Sequence, residues 1–236
     1  EALKLHSDGN FQENVDQTSN IVSPIIQTLW RLNSENTDRL RFGISRTYQP
    51  PPDSYLVTPI WTTINNSIQN PNLIGNPTLR PELAWSFDVG FEHNGKDDVN
   101  LNLRMKARSI KDVHQESIFY RQDLWWMQFV NGGRGITKSI EIESQFPLKR
   151  LMQNLPEIDM NLSIVKSWSR VSDLPTPDNV LSPIVLTVNT GVDYQSKDYP
   201  ITIGASALYN NTRRQQIGKY KTEYSTSPLE LDLYSS

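Results

Sequence analysis

The chain alternates. Leu40, Phe42 and Ile44 take turns with Arg41, Gly43 and Ser45. Further on, Trp85, Phe87, Val89 and Phe91 hold one parity while Ser86, Asp88, Gly90 and Glu92 hold the other. The most regular stretch sets Val99, Leu101, Leu103, Met105 and Ala107 against Asn100, Asn102, Arg104, Lys106 and Arg108. A strand repeats its side-chain direction every two residues, so each run predicts a strand with one apolar and one polar face. The same period continues through 136–146, 160–168, 184–194 and 201–209. Between 22 and 32 the pattern is blurred by Ile25 and Leu29, and Pro24 suits only a strand end or a bulge. Alternating runs also stand at 1–6 and 229–234, and both ends look cut, so the expectation is an internal piece of a longer protein.

The punctuation between the runs has its own rhythm. Short polar turns are expected at 33–38, 94–98, 154–157 and 197–200. Longer loops are expected at 7–20, 52–82, 109–133, 173–178 and 210–227, and the one at 109–133 carries Phe119, Tyr120, Trp125, Trp126 and Phe129. No amphipathic helix lies between the runs. Hairpin-linked neighbours make an all-β antiparallel meander of about ten strands. Long and short connections alternate, which places every long loop at one end. A transmembrane β-barrel has that asymmetry, with short turns on one rim and long external loops on the other. The alternative is a soluble all-β ligand- or carbohydrate-binding module, a sandwich in which a second layer covers the apolar face.

Composition narrows the partners. Of 236 residues 36% are hydrophobic and the net charge is -3, which gives no reason to expect a nucleic acid. There is no cysteine, hence no disulfide, thiolate metal site or cysteine nucleophile. No apolar run is long enough for a membrane helix, a statement that leaves membrane strands untouched. In a membrane, lipid would cover the apolar parity, the polar parity would line a wet lumen, and Trp30, Trp85, Trp168 and Tyr194 would sit near the interfaces. Lys138 and Lys166 test that picture because both fall on the apolar parity, where a cation at the midplane costs about 2–4 kcal/mol. Lys138 follows a long loop and suits the outer rim; Lys166 requires a bulge or a side chain that snorkels outward.

The run GNPTLRPE at 75–82, continued by AWSFDVGFEHN, resembles the NPxLKPE-type loop and following strand of the TonB-dependent outer-membrane receptors. LRFGISRTYQPP is similar to the strand and R-x-Y-x-x-P loop that come before it in that family. Asn131-Gly-Gly with SIEIESQFPL resembles a later strand, and LELDLYSS one near the C-terminus. Arg80 stands where Lys is common and Ser139 where Gly is common. The resemblance covers essentially the whole chain, and its order and spacing are more specific than any single motif.

It implies that 1–236 is part of a plugged, 22-stranded barrel, with the plug and terminal strands absent and the piece spanning roughly the eleventh to the twentieth strand. It also implies a cell outer membrane location, contact with outer-membrane lipid, and TonB-driven uptake through the absent plug. The ligand would be scarce and bulky, such as a ferric siderophore, haem, cobalamin or a glycan. No cofactor is expected.

Candidate chemistry is sparse. His6, His93 and His114 lack metal-ligand spacing, and no G-x-S-x-G elbow is present. Glu141 and Glu143 share a face, but successive same-face residues on a strand lie about 7 Å apart; a solvated lumen face accounts for them better than a glycosidase pair. Enzymatic activity is not expected. The candidate ligand contacts, all expected in external loops, are Arg46, Tyr48, Trp61, Tyr120, Arg121, Trp125 and Trp126, aromatics that stack on a siderophore or sugar and arginines that meet an anion. Gly75, Asn76, Pro77, Leu79, Pro81 and Glu82 are expected to be structural, ending a loop and setting the register of the strand they launch.

Overall fold

A computed structural model describes residues 2–7, 15–35, 37–57, 62–95, 99–150, 152, 156–174, 179–196, 199–212, 214–218, 221–226 and 228–235. Its principal feature is one nine-stranded sheet. In spatial order its strands are β3 (Ile25–Arg31), β4 (Asp38–Gln49), β6 (Glu82–Asn94), β7 (Asn100–Lys111), β10 (Arg134–Pro147), β11 (Ile158–Val171), β12 (Ile184–Gln195), β13 (Thr202–Thr212) and β16 (Glu230–Ser235). Every neighbouring pair is antiparallel. This is the meander that the alternation predicts. The predicted strand at the start of the chain forms apart from it, as β1 (Ala2–Ser7), which pairs with β2 (Val15–Asn20).

The register sorts the side chains as the alternation requires. Phe42 lies opposite Val89, Val89 opposite Met105, and Met105 opposite Ile140, all on one face. That face has no second layer over it: Phe42 is 44% exposed, Phe87 50% and Met105 49%. A sandwich would bury those side chains, so the two-layer alternative is not the architecture. The opposite face holds a ladder of charge. Arg41 Nε lies 2.5 Å from Glu92, Arg104 reaches Glu141 at 3.5 Å and Glu143 at 3.8 Å, and Lys106 reaches Glu141 at 3.8 Å. Glu141 and Glu143 are therefore salt-bridged to cations of the neighbouring strand, as suits a wet lumen face. With Gly43 and Gly90 contributing no side chain, the ladder borders a groove of about 300 Å³.

The polar face changes character in its last row. Ala84, Ile110, Gly135 and Val171 are register neighbours across β6, β7, β10 and β11, at the end of the sheet with the long connections. Ala84, Ile110 and Val171 are at most 5% exposed, and Val113 and Leu181 pack on the cluster. A Cβ on Gly135 would stand 2.9 Å from Leu181 and 3.1 Å from Val113, so the absent side chain lets both close over the strand. The small core thus sits at one rim, where connections fold back across the lumen side.

Several stretches expected to be loops are ordered strands. The segment 109–133 continues β7 and then makes a hairpin of β8 (His114–Arg121) and β9 (Leu124–Asn131). The loop 52–82 contains a short helix, α1 (Asp53–Leu56), and the two-residue β5 (Asn72–Leu73). The stretch 210–227 contains β14 (Gln215–Gly218) and β15 (Lys221–Glu223), and β2 occupies part of 7–20. These elements lie largely outside the two-faced wall. Phe119 and Tyr120 are adjacent, as are Trp125 and Trp126, so no alternation marks their strands. The β8–β9 turn uses Gln122 (φ 52) and Asp123 (φ 58), which supply the left-handed geometry without glycine.

Candidate functional site

The long connections do not end as separate loops. β5, β8, β9, β14 and β15 join in a second sheet of five strands, in the order β15-β14-β8-β9-β5. Three excursions from the wall contribute to it. β5 comes from the connection between β4 and β6, β8 and β9 from that between β7 and β10, and β14 and β15 from that between β13 and β16.

GNPTLRPE is the hub of this assembly. Gly75 is buried, and a Cβ there would stand 2.2 Å from the Val57 carbonyl oxygen, so only glycine lets the two backbone segments approach. Asn76 Nδ2 donates to the Phe129 carbonyl at 2.9 Å, while its Oδ1 accepts from Thr78 N at 3.1 Å and Thr78 Oγ1 at 2.7 Å. Leu79 is fully buried, and Pro81 is buried too, whereas Pro77 is exposed. Arg80 reaches Asp112 Oδ1 at 2.7 Å. Glu82 opens β6 and accepts the His114 backbone N–H at 2.7 Å.

Residues outside the predicted set complete the clasp. Asn131 Oδ1 accepts from Arg80 N at 2.8 Å, and its Nδ2 donates to the Arg80 and Asp112 carbonyls at 2.9 and 3.1 Å. Gln128 donates to Gly75 O at 2.8 Å. Asn66 bonds both ways with the Trp125 backbone, at 2.9 and 2.6 Å. Tyr55 stacks on Phe129, ring centroids 3.5 Å apart, and meets the His114 ring edge-on at 6.5 Å. His114 Nε2 lies 2.7 Å from the Arg80 carbonyl, which can only accept, so the proton is on Nε2. These ties run from side chains to backbone, which leaves no spacing rule in the sequence; Asn131-Gly-Gly alone carried a signal, through the family resemblance. His93 is held as well, its Nδ1 2.6 Å from Asp38 Oδ1.

The candidate ligand contacts divide by place. Tyr120 and Trp125 are opposite one another at the end of the hairpin, centroids 5.1 Å apart, and Tyr120 is 57% exposed. Trp126 Nε1 donates to the Arg121 carbonyl at 3.1 Å, which braces the exposed turn. Arg46 and Tyr48 lie in the wall, at the end of β4, and not in a loop. Both share the parity of Phe42 and Ile44; the Arg46 guanidinium bonds Val22 O at 3.3 Å and lies 6.0 Å from the Trp85 ring centroid. Trp61 lies outside the described residues. The structure therefore gathers four of the seven residues on one hairpin and leaves Arg46 and Tyr48 apart.

Between the five-stranded sheet and the last row of the wall is a cavity of about 330 Å³, lined by Gln115, Phe129 and Gln216 of the sheet and by Glu82 and Val171 of the wall. Tyr55, Glu82, His114 and Gln215 supply its polar side, and Val113 and Leu181 its apolar side. Among the described residues no group of three His, Cys, Asp or Glu is arranged to hold a metal ion. The arrangement suits non-covalent capture, with hydrogen-bonding groups and aromatic faces above a charged lumen wall.

Residues 3–233 match the family described as TonB dependent receptor-like, beta-barrel. Among solved structures, the copper transporter OprC superposes with a TM-score of 0.64 at 16% identity, covering 99% of this chain and 34% of that one. The siderophore receptor PirA from Pseudomonas aeruginosa gives 0.63 at 15% identity, covering 84% and 36%. The alcaligin outer membrane receptor FauA from Bordetella pertussis gives 0.56 at 12%, covering 95% and 34%. At such identities the likeness is one of fold, and the chain spans about a third of the length of these receptors. No curated protein matches it in sequence. Uncovered apolar face, charged lumen face, asymmetric rims and family match agree: the chain belongs to the TonB-dependent receptors, outer-membrane proteins that are receptors and transporters rather than enzymes, and forms part of their barrel wall.

Proposed function

We propose that this chain is the wall and outer-loop portion of a receptor that takes up a scarce, bulky ligand such as a ferric siderophore, with energy supplied by TonB through a plug domain outside these residues. One observation carries the reading. Three outer excursions are joined into a single sheet above a cavity of about 330 Å³ and the charged wall below it. A wall needs no such assembly to span lipid, whereas a receptor needs a shaped outer mouth. The name of PirA as a siderophore receptor supports the ligand class. At the tip of the β8–β9 hairpin, Tyr120 and Trp125 offer aromatic faces for the organic periphery of a siderophore and Arg121 a cation for its negative charge.

The test is uptake of an isotopically labelled ferric siderophore by iron-starved cells that carry the full-length receptor as their sole outer-membrane siderophore receptor. Replacing residues 114–131 by a short turn is expected to reduce uptake at least tenfold while the barrel remains in the membrane. Undiminished uptake after that replacement, or no uptake of any ferric siderophore by the intact receptor, overturns the reading.

A further inference from the structure

The lipid-facing parity of the wall carries cations in one place. Within β4, β6, β7, β10, β11, β12 and β13 that parity includes Arg46, Lys111, Arg134, Lys138, Lys166 and Arg170. Its one acid is Asp38, at the opposite end of the wall and bonded to His93. Arg46 is already held by Val22 O and Trp85. The other five are contiguous. Lys111 lies directly opposite Arg134, Lys138 opposite Trp168, Ile136 opposite Arg170 and Ile140 opposite Lys166. Lys138 is thus a diagonal neighbour of both Lys166 and Arg170, about 7–8 Å away between backbones.

Such a cluster repels itself, since like charges placed directly opposite across strands are destabilising. Among the described residues, none of the five has a carboxylate within salt-bridge distance. The nearby acids are engaged elsewhere: Asp112 binds Arg80, and Asp173 accepts from Ser172 Oγ at 2.7 Å. The β10–β11 register runs unbroken past Lys166, so no bulge turns that side chain inward. Its Nζ lies instead 6.0 Å from the Trp168 ring centroid, toward the rim with the long loops. Four of the five are exposed and Lys166 is half-buried. The ammonium and guanidinium groups therefore present to the membrane's outer interface, around an indole ring of the kind that marks it.

We propose that Lys111, Arg134, Lys138, Lys166 and Arg170 form a docking surface for the phosphorylated headgroup of an outer-leaflet lipid, whose acyl chains lie against Ile136, Ile140 and Leu186. Charge complementarity selects this occupant. A neutral headgroup leaves the repulsion in place, and a protein partner would have to reach a face that lipid already covers. The proposal requires the chain to lie in an outer membrane and is independent of the identity of the transported ligand.

The experiment uses the full-length receptor in nanodiscs of neutral phosphatidylcholine doped with a diphosphorylated glucosamine lipid, with bound lipid counted by native mass spectrometry after gentle extraction. Wild type is expected to retain the phosphorylated lipid in preference to the same lipid with its phosphates removed. The triple variant Lys138→Gln, Lys166→Gln, Arg170→Gln is expected to bind it on the order of a hundredfold more weakly, at roughly fivefold per cation. The charge-preserving variant Lys138→Arg, Lys166→Arg, Arg170→Lys is expected to retain binding. The lumen-facing variant Arg104→Gln, Lys106→Gln, which removes cations from the other face, serves as the control and is expected to leave retention unchanged. Equal retention by wild type and the glutamine variant overturns the proposal. So does equal binding of the dephosphorylated lipid, or displacement of the lipid by millimolar inorganic phosphate. Loss of binding in the charge-preserving variant would also overturn it, by showing that side-chain shape rather than charge holds the lipid.

Discussion

The two ends of this wall are built on different principles. At the inner end three connections close on themselves. Leu32 N donates to Asp38 O at 2.9 Å, Gly95 N to Val99 O at 2.7 Å and Ser196 N to Ile201 O at 3.0 Å, each within one turn. Asn33 reinforces the first of these turns, accepting from Thr37 N at 3.0 Å and donating to Asp38 Oδ2 at 2.7 Å. At the outer end the decisive bonds join different excursions: Asn76 to Phe129, Arg80 to Asn131, Gln128 to Gly75 and Asn66 to Trp125. The inner rim is mostly local stitches, with a backbone tie between neighbouring turns from Asn94 N to Thr37 O at 2.8 Å, and the outer rim is one fabric. Damage is therefore expected to remain local at the inner rim and to spread at the outer one.

The strongest way to break that contrast is Gly75→Val. With a Cβ directed at the Val57 carbonyl, the loop has to lift from β9 at a cost of about 3 kcal/mol. Limited proteolysis of the full-length receptor is expected to cut within 62–74, while the barrel keeps its heat-modifiable mobility; an uncut loop would show that the excursions are not interdependent. Asn131→Ala removes three bonds at once, and an opening free energy lower by about 2 kcal/mol is expected at Arg80 and His114 in hydrogen exchange. Protection lost at 79–82 as well as 112–114 is the outcome that sustains the contrast.

Asn33→Ala sharpens it from the other end. A loss of about 1 kcal/mol is expected there, read as faster exchange confined to 32–38 and the adjoining Asn94 amide, with the outer sheet unchanged. Faster exchange at 114–131 in that variant would refute the separation. Smallest of all is Arg104→Ala, in a ladder whose members are partly exposed: about 0.5 kcal/mol, seen as a slight fall in the unfolding midpoint with neither rim affected.

How much of this was legible follows from which solvents each strand meets. β6 and β7 have lipid on one face and water on the other, so their residues had to alternate, and their faces were readable from Trp85 to Arg108. Pro24 falls just ahead of β3, the strand-end position its missing N–H requires. The strands of the outer sheet face no such division. Phe119 and Tyr120 in β8 are consecutive apolar-bodied residues, and the Gln122–Asp123 turn lacks the glycine that would have announced a hairpin. The motif at 75–82 was recognisable, and the structure ties it to β9 and to the start of β8. Its partners were not recognisable, because an asparagine that bonds a backbone group tens of residues away looks in sequence like any polar loop residue. Arg46 and Tyr48, expected in an external loop, lie in the wall because β4 carries on through Gln49. Lys166 was the instructive anomaly. It broke the apolar parity, and the cations nearest to it, Lys138 on β10 and Arg170 farther along β11, are brought together only by the register.

The outer sheet also has a consequence in time. β5 pairs with β9, and β14 with β8, in parallel register, which a simple hairpin cannot provide. Between β5 and β9 the chain must first lay down β6 and β7, and between β8 and β14 it must complete β10 to β13. Contacts that close such long loops form late, after the local hairpins have brought their ends together. The external mouth is thus a record of this wall's assembly. A wall that displays it has already placed every strand from β4 to β14, so an antibody or ligand that requires the joined excursions would count walls complete over that span and pass over those still being built.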